Sequence, residues 1–336
     1  MKTARFKVSF AGPLVSFQDK GRIGHLRFGV SSSGPMDRLA HRAAHALVGN
    51  SNAGSAIEVS LGGLILECIS GEATLAVAGG EFSVQCGATK TSGWTTQTIH
   101  EGEKLTLRAG VWGSWSYIAF AGQLALNKWL GSTSTHSMSG FGAGTLIGGV
   151  EFEVQKAEVR EARVGDTPYP EVAGTTDTIR IVIGPQDQHF DPQSVDIFCK
   201  KLFKLTDAFD RMGVQLQGPE LVLKNALSIP SEPIVRGSIQ VSGDGIPTVL
   251  LADHQTTGGY PKIATVLSAD VDRLAQMRAH DVVRFKAVSA EDAIAATRAH
   301  HAICQATIEK LAAPKASLTE KLQNQNLIGG IVNAYD

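Results

Sequence analysis

Three short segments concentrate the side chains that could do chemistry. The densest is Pro247–Ile263, PTVLLADHQTTGGYPKI, where an apolar run ends in Asp253, His254 and Gln255 and continues through Thr256, Gly258, Gly259, Tyr260 and Lys262. A tight turn needs few polar groups, so this density points to ligand contact rather than to a rigid hairpin alone. On an extended strand end Asp253 and Gln255 share a face. Backbone N–H groups in the glycine turn can meet an anion, and Lys262 adds a cation. Such a set suits a carboxylate, an amide or a phosphoryl group.

The second segment is Phe17–Asp37, FQDKGRIGHLRFGVSSSGPMD, which holds Asp19, Arg22, Ser33 and Asp37. Gly21 and Gly24 allow backbone geometries closed to other residues. Asp37 falls in the first turn of a helix, where the dipole favours its charge. A strand–turn–helix entry with one stabilising acid explains the pattern equally well. The third, Asp207–Gly218, places Asp210 and Arg211 before Gly213 and an alternating strand. By itself it reads as a surface ion pair before a turn.

Other chemistry is poorly represented. His41 and His45 lie four apart on a helix, but no Glu follows His41 as in a zinc-binding H-E-x-x-H, so both are expected to be solvated. His300-His301 is expected to be exposed on the last helix. Cys68, Cys86, Cys199 and Cys304 show no C-x-x-C spacing, and no metal site is expected. No phosphate-binding G-x-x-x-x-G-K-[ST] loop and no G-x-S-x-G elbow occur. No Met-Lys-Met is present to carry biotin.

The elements that must position these segments are mostly strands. Period-2 alternation runs through Ile57–Leu61, Leu64–Cys68, Ile179–Ile183, Val214–Leu216 and Ile239–Val241. Short strands with frequent turn signals predict barrels or sandwiches. The clearest helix spans Met36–Val48, entered through Ser33-Gly34-Pro35 and ended by Gly49. A second follows Asp191-Pro192 and turns Val195, Cys199, Leu202 and Phe203 inward. A third follows Ser268 with Val271, Leu274 and Ala275, and a fourth covers about Ala290–Ala312, capped by Ser289. Residues 164–178, rich in Gly and Pro, read as a linker between domains at 1–163 and 179–313, with a polar tail at 314–336.

Composition excludes whole classes. The 336 residues carry 31 Lys plus Arg against 32 Asp plus Glu, a formal net charge of −1. That balance leaves no electrostatic footprint for nucleic acid or an anionic membrane. The longest uncharged stretches are too rich in Gly, Ser and Thr for membrane spans, and no signal peptide is read. A cytoplasmic protein is expected.

Taken together, the segments resemble the allophanate hydrolase subunit 2 family, also described as biotin-dependent carboxyltransferase-like. The likeness rests on Gln18-Asp19, Gly21–Gly24, Ser33-Gly34, Met36-Asp37, Leu47–Asn50, Gly131–Thr135, Asp210–Gly213, Gly237–Val241 and, most specifically, Leu250–Ile263. Lys20, Pro35 and His254 depart from the family's usual residues. The resemblance implies a mainly β fold of two cyclophilin-like β-barrel domains. Its best-defined activity is that of the C subunit of an ATP-dependent 5-oxoprolinase. That enzyme opens 5-oxo-L-proline to L-glutamate, and this chain would act in it with homologues of the A and B subunits. Two alternatives come with the likeness: a carboxyltransferase half acting on urea or a related small amide with carboxybiotin carried on another chain, or a non-catalytic regulatory partner of the B-subunit homologue. On this reading Asp253, Lys262 and Gln255 are catalytic. Lys262 or an arginine stabilises charge on the amide oxygen or phosphoryl group, and Asp253 accepts a proton or orients the ligand. Arg211, Arg236, Gln240, Thr256, Gly258, Gly259 and Tyr260 bind substrate. Asp19, Arg22, Ser33, Met36 and Asp37 form a second wall or the contact with a partner subunit.

Overall fold

The structure is a computed structural model that describes residues 2–174, 176–224 and 229–314. The polar tail, apart from Pro314, lies outside the described residues.

Alternation builds the first half. Ala4, Phe6 and Val8 are buried while Arg5 and Lys7 between them are exposed, so strand Thr3–Ala11 turns one face to a core. It sits inside a seven-stranded sheet, flanked by Glu151–Gln155 and Leu64–Ser70. A six-stranded sheet faces it, with Glu72–Gly79 and Trp115–Phe120 at its centre. Phe6, Phe120 and Phe152 fill the space between, with Phe6 lying 4.9 Å and 5.4 Å from the other two ring centres.

The six-stranded sheet is covered on both faces. Leu75 and Val77 point to the first sheet, while Ala76 and Ala78 point to helix α1 (Arg38–Leu47). Asp37 is the N-cap of α1 and accepts from the Ala40 N–H at 2.9 Å. The helix therefore starts after Met36, which packs in the core ahead of it. Gly49, at φ 76°, takes the left-handed turn that ends the helix. On its far side α1 meets the second half, so eight of its ten residues are buried. His41 and His45 are among them and are not solvated as expected. Burial pushes their imidazoles down to about 4 and about 3, keeping them neutral.

The second half closes as a seven-stranded barrel. Its strands run in the order Thr178–Ile183, Lys262–Val266, Ser238–Val241, Pro247–Leu250, Gly213–Gln217, Leu202–Phe209 and Val282–Ala287. The last strand returns parallel to the first and closes the ring. Helix α2 (Pro192–Lys200) packs against it through Phe198, whose ring stacks 4.6 Å from Phe285. The expectation that Leu202 and Phe203 extend this helix is corrected. The helix stops at Lys200, and both belong to the next strand, where alternation sends Leu202 outward and Phe203 inward. Helices α3 (Ser268–Gln276) and α4 (Ala290–Ala312) complete the half, and Ser289 caps α4 as its sequence requires.

The fold is mainly β with one β unit in each half; the core between the two sheets of the first half is separate, while the layer between its six-stranded sheet and α1 is continuous with the barrel core. The described part of the segment after Arg163 is packed, with Ala173 buried and the Gly174 carbonyl accepting from Arg273 Nε at 2.9 Å. Gly165-Asp166 pairs with Thr95-Thr96, and Arg163 donates to the Ala312 carbonyl at the end of α4 at 2.7 Å. No helix among the described residues is long and apolar enough to cross a membrane. Replacing the fully buried Phe285 by Ala is expected to cost about 3–5 kcal/mol in urea unfolding. A loss below about 1 kcal/mol would show that the ring does not anchor the barrel core.

Candidate functional site at the joint between the halves

Arg211 enters the site through a local turn. The Asp210 carboxylate accepts from the N–H groups of Met212 (2.7 Å) and Gly213 (3.2 Å), leaving Arg211 at the apex. The expected surface ion pair is corrected here, because Arg211 is 1% exposed. Its Nε and Nη2 donate to both oxygens of Asp253 at 2.9 and 3.0 Å. Nη2 also reaches the Gly34 carbonyl at 2.7 Å, and Nη1 donates to Glu58. Glu58 in turn accepts from Tyr117 Oη (2.7 Å) and the Met36 N–H (2.8 Å), and Tyr117 Oη accepts from the Asp37 N–H. Burial opposes every charge in this cluster. The attraction of Asp253 and Glu58 outweighs it for Arg211, and Arg211 with the Ser137 N–H holds Asp253 below its usual range. Burial and Glu58 push the Tyr117 phenol well above its usual value, so it stays a donor.

This geometry reassigns Asp253. It is fully buried, and its oxygens already hold two Arg211 bonds and the Ser137 N–H at 2.9 Å. An ionised carboxylate held by three bonds from its own chain is placed to position that chain, not to take a proton from a ligand. Lys262 is also displaced from its expected role. It lies on the barrel wall paired with Gln240, and its Nζ is buried 3.6 Å from Glu232, away from the cleft described next.

A cleft of about 310 Å³ opens where the halves meet. The first half supplies Arg22, Ser31, Trp129, His136 and Phe141, and the second supplies Met212, Asp253, His254, Gln255 and Thr256. All three chemistry-bearing segments thus reach one cavity. Arg22 lines the cleft from a buried position, 1% exposed. Its Nη2 donates to the Ser134 carbonyl, Nε to the Trp129 carbonyl at 3.3 Å, and its guanidinium lies 4.9 Å from the Trp129 ring centre. Burial lowers its proton affinity, opposed by Asp19 and Asp253.

Asp19 holds the loop that carries Arg22. It accepts from Ser132 Oγ (2.6 Å), Ser134 Oγ (2.7 Å), the Thr133 N–H and the Gly21 N–H (both 2.9 Å). Burial alone would raise this carboxyl, but those four bonds overrule it and hold it at about 2. Ser33 adopts φ 51° and faces Arg22 with its Oγ at 3.5 Å.

The remaining sequence-derived candidates divide. Gln255 and Thr256 line the cleft. Gln240 and the half-exposed Tyr260 line an adjoining hollow of about 350 Å³ on the barrel wall, which shares Met212 and Gln255 with the cleft. Gln255 bonds Gln240 Oε1 at 2.9 Å and so connects the two. Gly258 sits where a Cβ would come within 2.5 Å of Gln240 Nε2, and the Gly259 carbonyl accepts from Ile229. Arg236 donates to the Pro35 and Met36 carbonyls at 2.9 and 2.5 Å and joins the halves. Met36 is core. Asp37 accepts from Gln276 at 2.8 Å, and burial with nearby Asp272 pushes its carboxyl up to about 7.

Sequence reasoning missed Glu58, Tyr117, Trp129, His136 and Phe141. Glu58 carried one signal, a lone acid between Ile57 and Val59 in an apolar strand. The others carried none. Among the described residues no group of three or more His, Cys, Asp or Glu is placed to hold a metal ion.

A unit of two facing sheets and a closed barrel thus meet at one polar cleft. Residues 28–287 match the family described as carboxyltransferase domain, subdomain A and B, and the chain belongs to that family. It is 34% identical over 281 residues to the C subunit of 5-oxoprolinase from Haemophilus influenzae, covering 83% of this chain and 89% of that one. Among solved structures, it superposes on TTHA0988 with a TM-score of 0.75 and 29% identity, covering 84% of this chain but only 55% of the other. It shares its fold with the urea amidolyase of K. lactis, with a TM-score of 0.81 and 23% identity over 95% of this chain and 21% of that much longer one.

Two outcomes test the geometry. Arg211→Ala is expected to lose about 3–5 kcal/mol in urea unfolding, since it strands two buried carboxylates. A loss near zero would show that the cluster does not hold the halves. Asp19 is depressed in the folded state, so its stabilisation is complete above about pH 4 and is lost as the pH falls through about 2. The stability gap between the natural protein and Asp19→Asn should therefore be widest at neutral pH and close towards pH 2. A gap independent of pH would contradict the assignment.

Proposed function

We propose that this chain is the C subunit of an ATP-dependent 5-oxoprolinase and contributes one wall of its lactam site. The observation that carries the reading is the cleft itself. It combines one pinned guanidinium, neutral donors and acceptors, and an apolar wall in a volume suited to one five-membered lactam. The likeness to the Haemophilus influenzae protein over nearly its whole length supports it.

A lactam carbonyl is a poor electrophile. Transfer of the terminal phosphoryl group of ATP to the lactam oxygen releases ADP and makes the carbon open to water. Attack of water, ring opening and a second water at phosphorus yield L-glutamate and phosphate. Arg22 would face the oxygen on which charge develops, at no reorganisation cost because its geometry is already set. Gln255, Thr256 and His254 would orient the amide, while Trp129 and Phe141, stacked 4.3 Å apart on each other, form one apolar wall beside the ring. Burial keeps His254 neutral against the opposing pull of the Gln255 carbonyl, and because Nδ1–H donates to that carbonyl (2.6 Å), Nε2 is left as an acceptor. Asp253 and Arg211 act as positioning residues for this loop. ATP enters as a co-substrate of the complex with the A- and B-subunit homologues. All four cysteines are free thiols, in keeping with a reducing cytoplasm.

The family description favours one second reading, in which the same cleft orients a urea-like amide for carboxylation by carboxybiotin on another chain. Substrate dependence separates the two. In a mixture with the A- and B-subunit homologues, ADP release should require both 5-oxoproline and this chain. Arg22→Gln should lower it about 100-fold or more while the urea midpoint of the folded chain persists. Turnover that survives omission of this chain, or full activity of the variant, would refute the assignment. Urea-dependent turnover alone would select the second reading.

A further inference from the structure

A second cavity, of about 550 Å³, lies beyond the strip 129–133 from the cleft, at the C-terminal end of α1. Its walls come from the loop 49–55, the segment 122–128, Thr133 and the segment 156–160. Three cations line it, namely Lys128, Lys156 and Arg160. Its one acid, Glu158, is already bonded to Arg160 Nε at 2.8 Å. Lys128 and Lys156 are exposed and pair with no carboxylate among the described residues. The cavity thus keeps two uncompensated positive charges on a chain whose net charge is −1. A concave site of one sign concentrates anions.

The base of this site is built, not accidental. Arg160 Nη1 donates to the Val48 carbonyl at 2.6 Å and to Asn50 Oδ1 at 3.2 Å. That sets the Asn50 amide, whose Nδ2 donates to the Phe120 carbonyl at 2.9 Å and to His45 Nδ1 at 3.1 Å. His45 therefore accepts through Nδ1 and carries its proton on Nε2. It is 3% exposed, with its Nε2–H side buried against the Gly54 backbone of the loop that walls the cavity. Ser55 and Thr133, 2.7 Å apart, add two hydroxyls.

We propose that this cavity is an anion site separate from the cleft, and that its ligand carries a multiply charged phosphoryl group. Two free ammonium groups and a fixed guanidinium exceed what one carboxylate neutralises, whereas a phosphoryl or pyrophosphoryl group offers matching charge and acceptors. The assignment does not depend on the lactam reading of the cleft.

Titration calorimetry of the full chain at low salt with pyrophosphate and with ADP tests it. Saturable pyrophosphate binding is expected, weakened at least tenfold in the Lys128→Gln/Lys156→Gln double variant, whose two positions are exposed. Binding of ADP as well would identify a nucleotide as the source of the phosphoryl groups, and pyrophosphate alone a free or differently borne phosphate. Arg22→Gln should bind the probe as the natural chain does. Absence of pyrophosphate binding, an unchanged double variant, or loss on Arg22→Gln instead would overturn the site.

Discussion

One buried guanidinium holds the two halves in register. Arg211 grips Asp253 on its own side of the joint and Glu58 with the Gly34 carbonyl on the other. Four bonds leave one planar group in fixed directions, which an ammonium on a flexible stem does not reproduce. A charge taken this far from water persists only with its partners in place, so the halves are committed to one relative position. The network does not stop there. Glu58 ties the Met36 backbone and Tyr117, and Tyr117 ties Asp37, so the entry of α1 belongs to the same unit.

The cleft is a consequence of that registration. Asp253 must face Arg211, so the residues that follow it, His254 to Thr256, emerge at the joint. On the opposite wall Asp19 gathers four donors and stiffens the turn that presents Arg22. Neither wall forms a cavity by itself. The cost of ordering these groups is met during folding, which leaves them preorganised for a ligand.

Small residues make the joint possible. Ala40, Ala43 and Ala44 on α1 meet Ala76, Ala78 and Ala119 on the sheet, which lets the helix lie close to it. The other side of α1 receives α4, so one helix joins the outer face of the six-stranded sheet to the core of the second half. Burial also explains the neutral histidines on this helix. His41 and His45 lie between α1 and the first half's own strands and loop 49–55, where a charged imidazole would be desolvated.

Much of this was legible in the sequence because it is local. Alternation marked the strands, Asp37, Ser289 and Gly49 marked helix ends, and the polar density after Leu251 marked one wall of the cleft. Each of these signals depends on neighbours within a few residues. What the tertiary structure decided is where charge is buried. Nothing near Arg211 in sequence distinguishes a surface pair from a pivot, because Glu58 and Asp253 lie 153 and 42 residues away. The same reason moved Lys262 to the barrel wall and brought Arg22, Trp129 and His136 to the cleft. Hydrophobic period and capping act along the chain, whereas the pairing of buried charges acts across it and exists only once the halves have met.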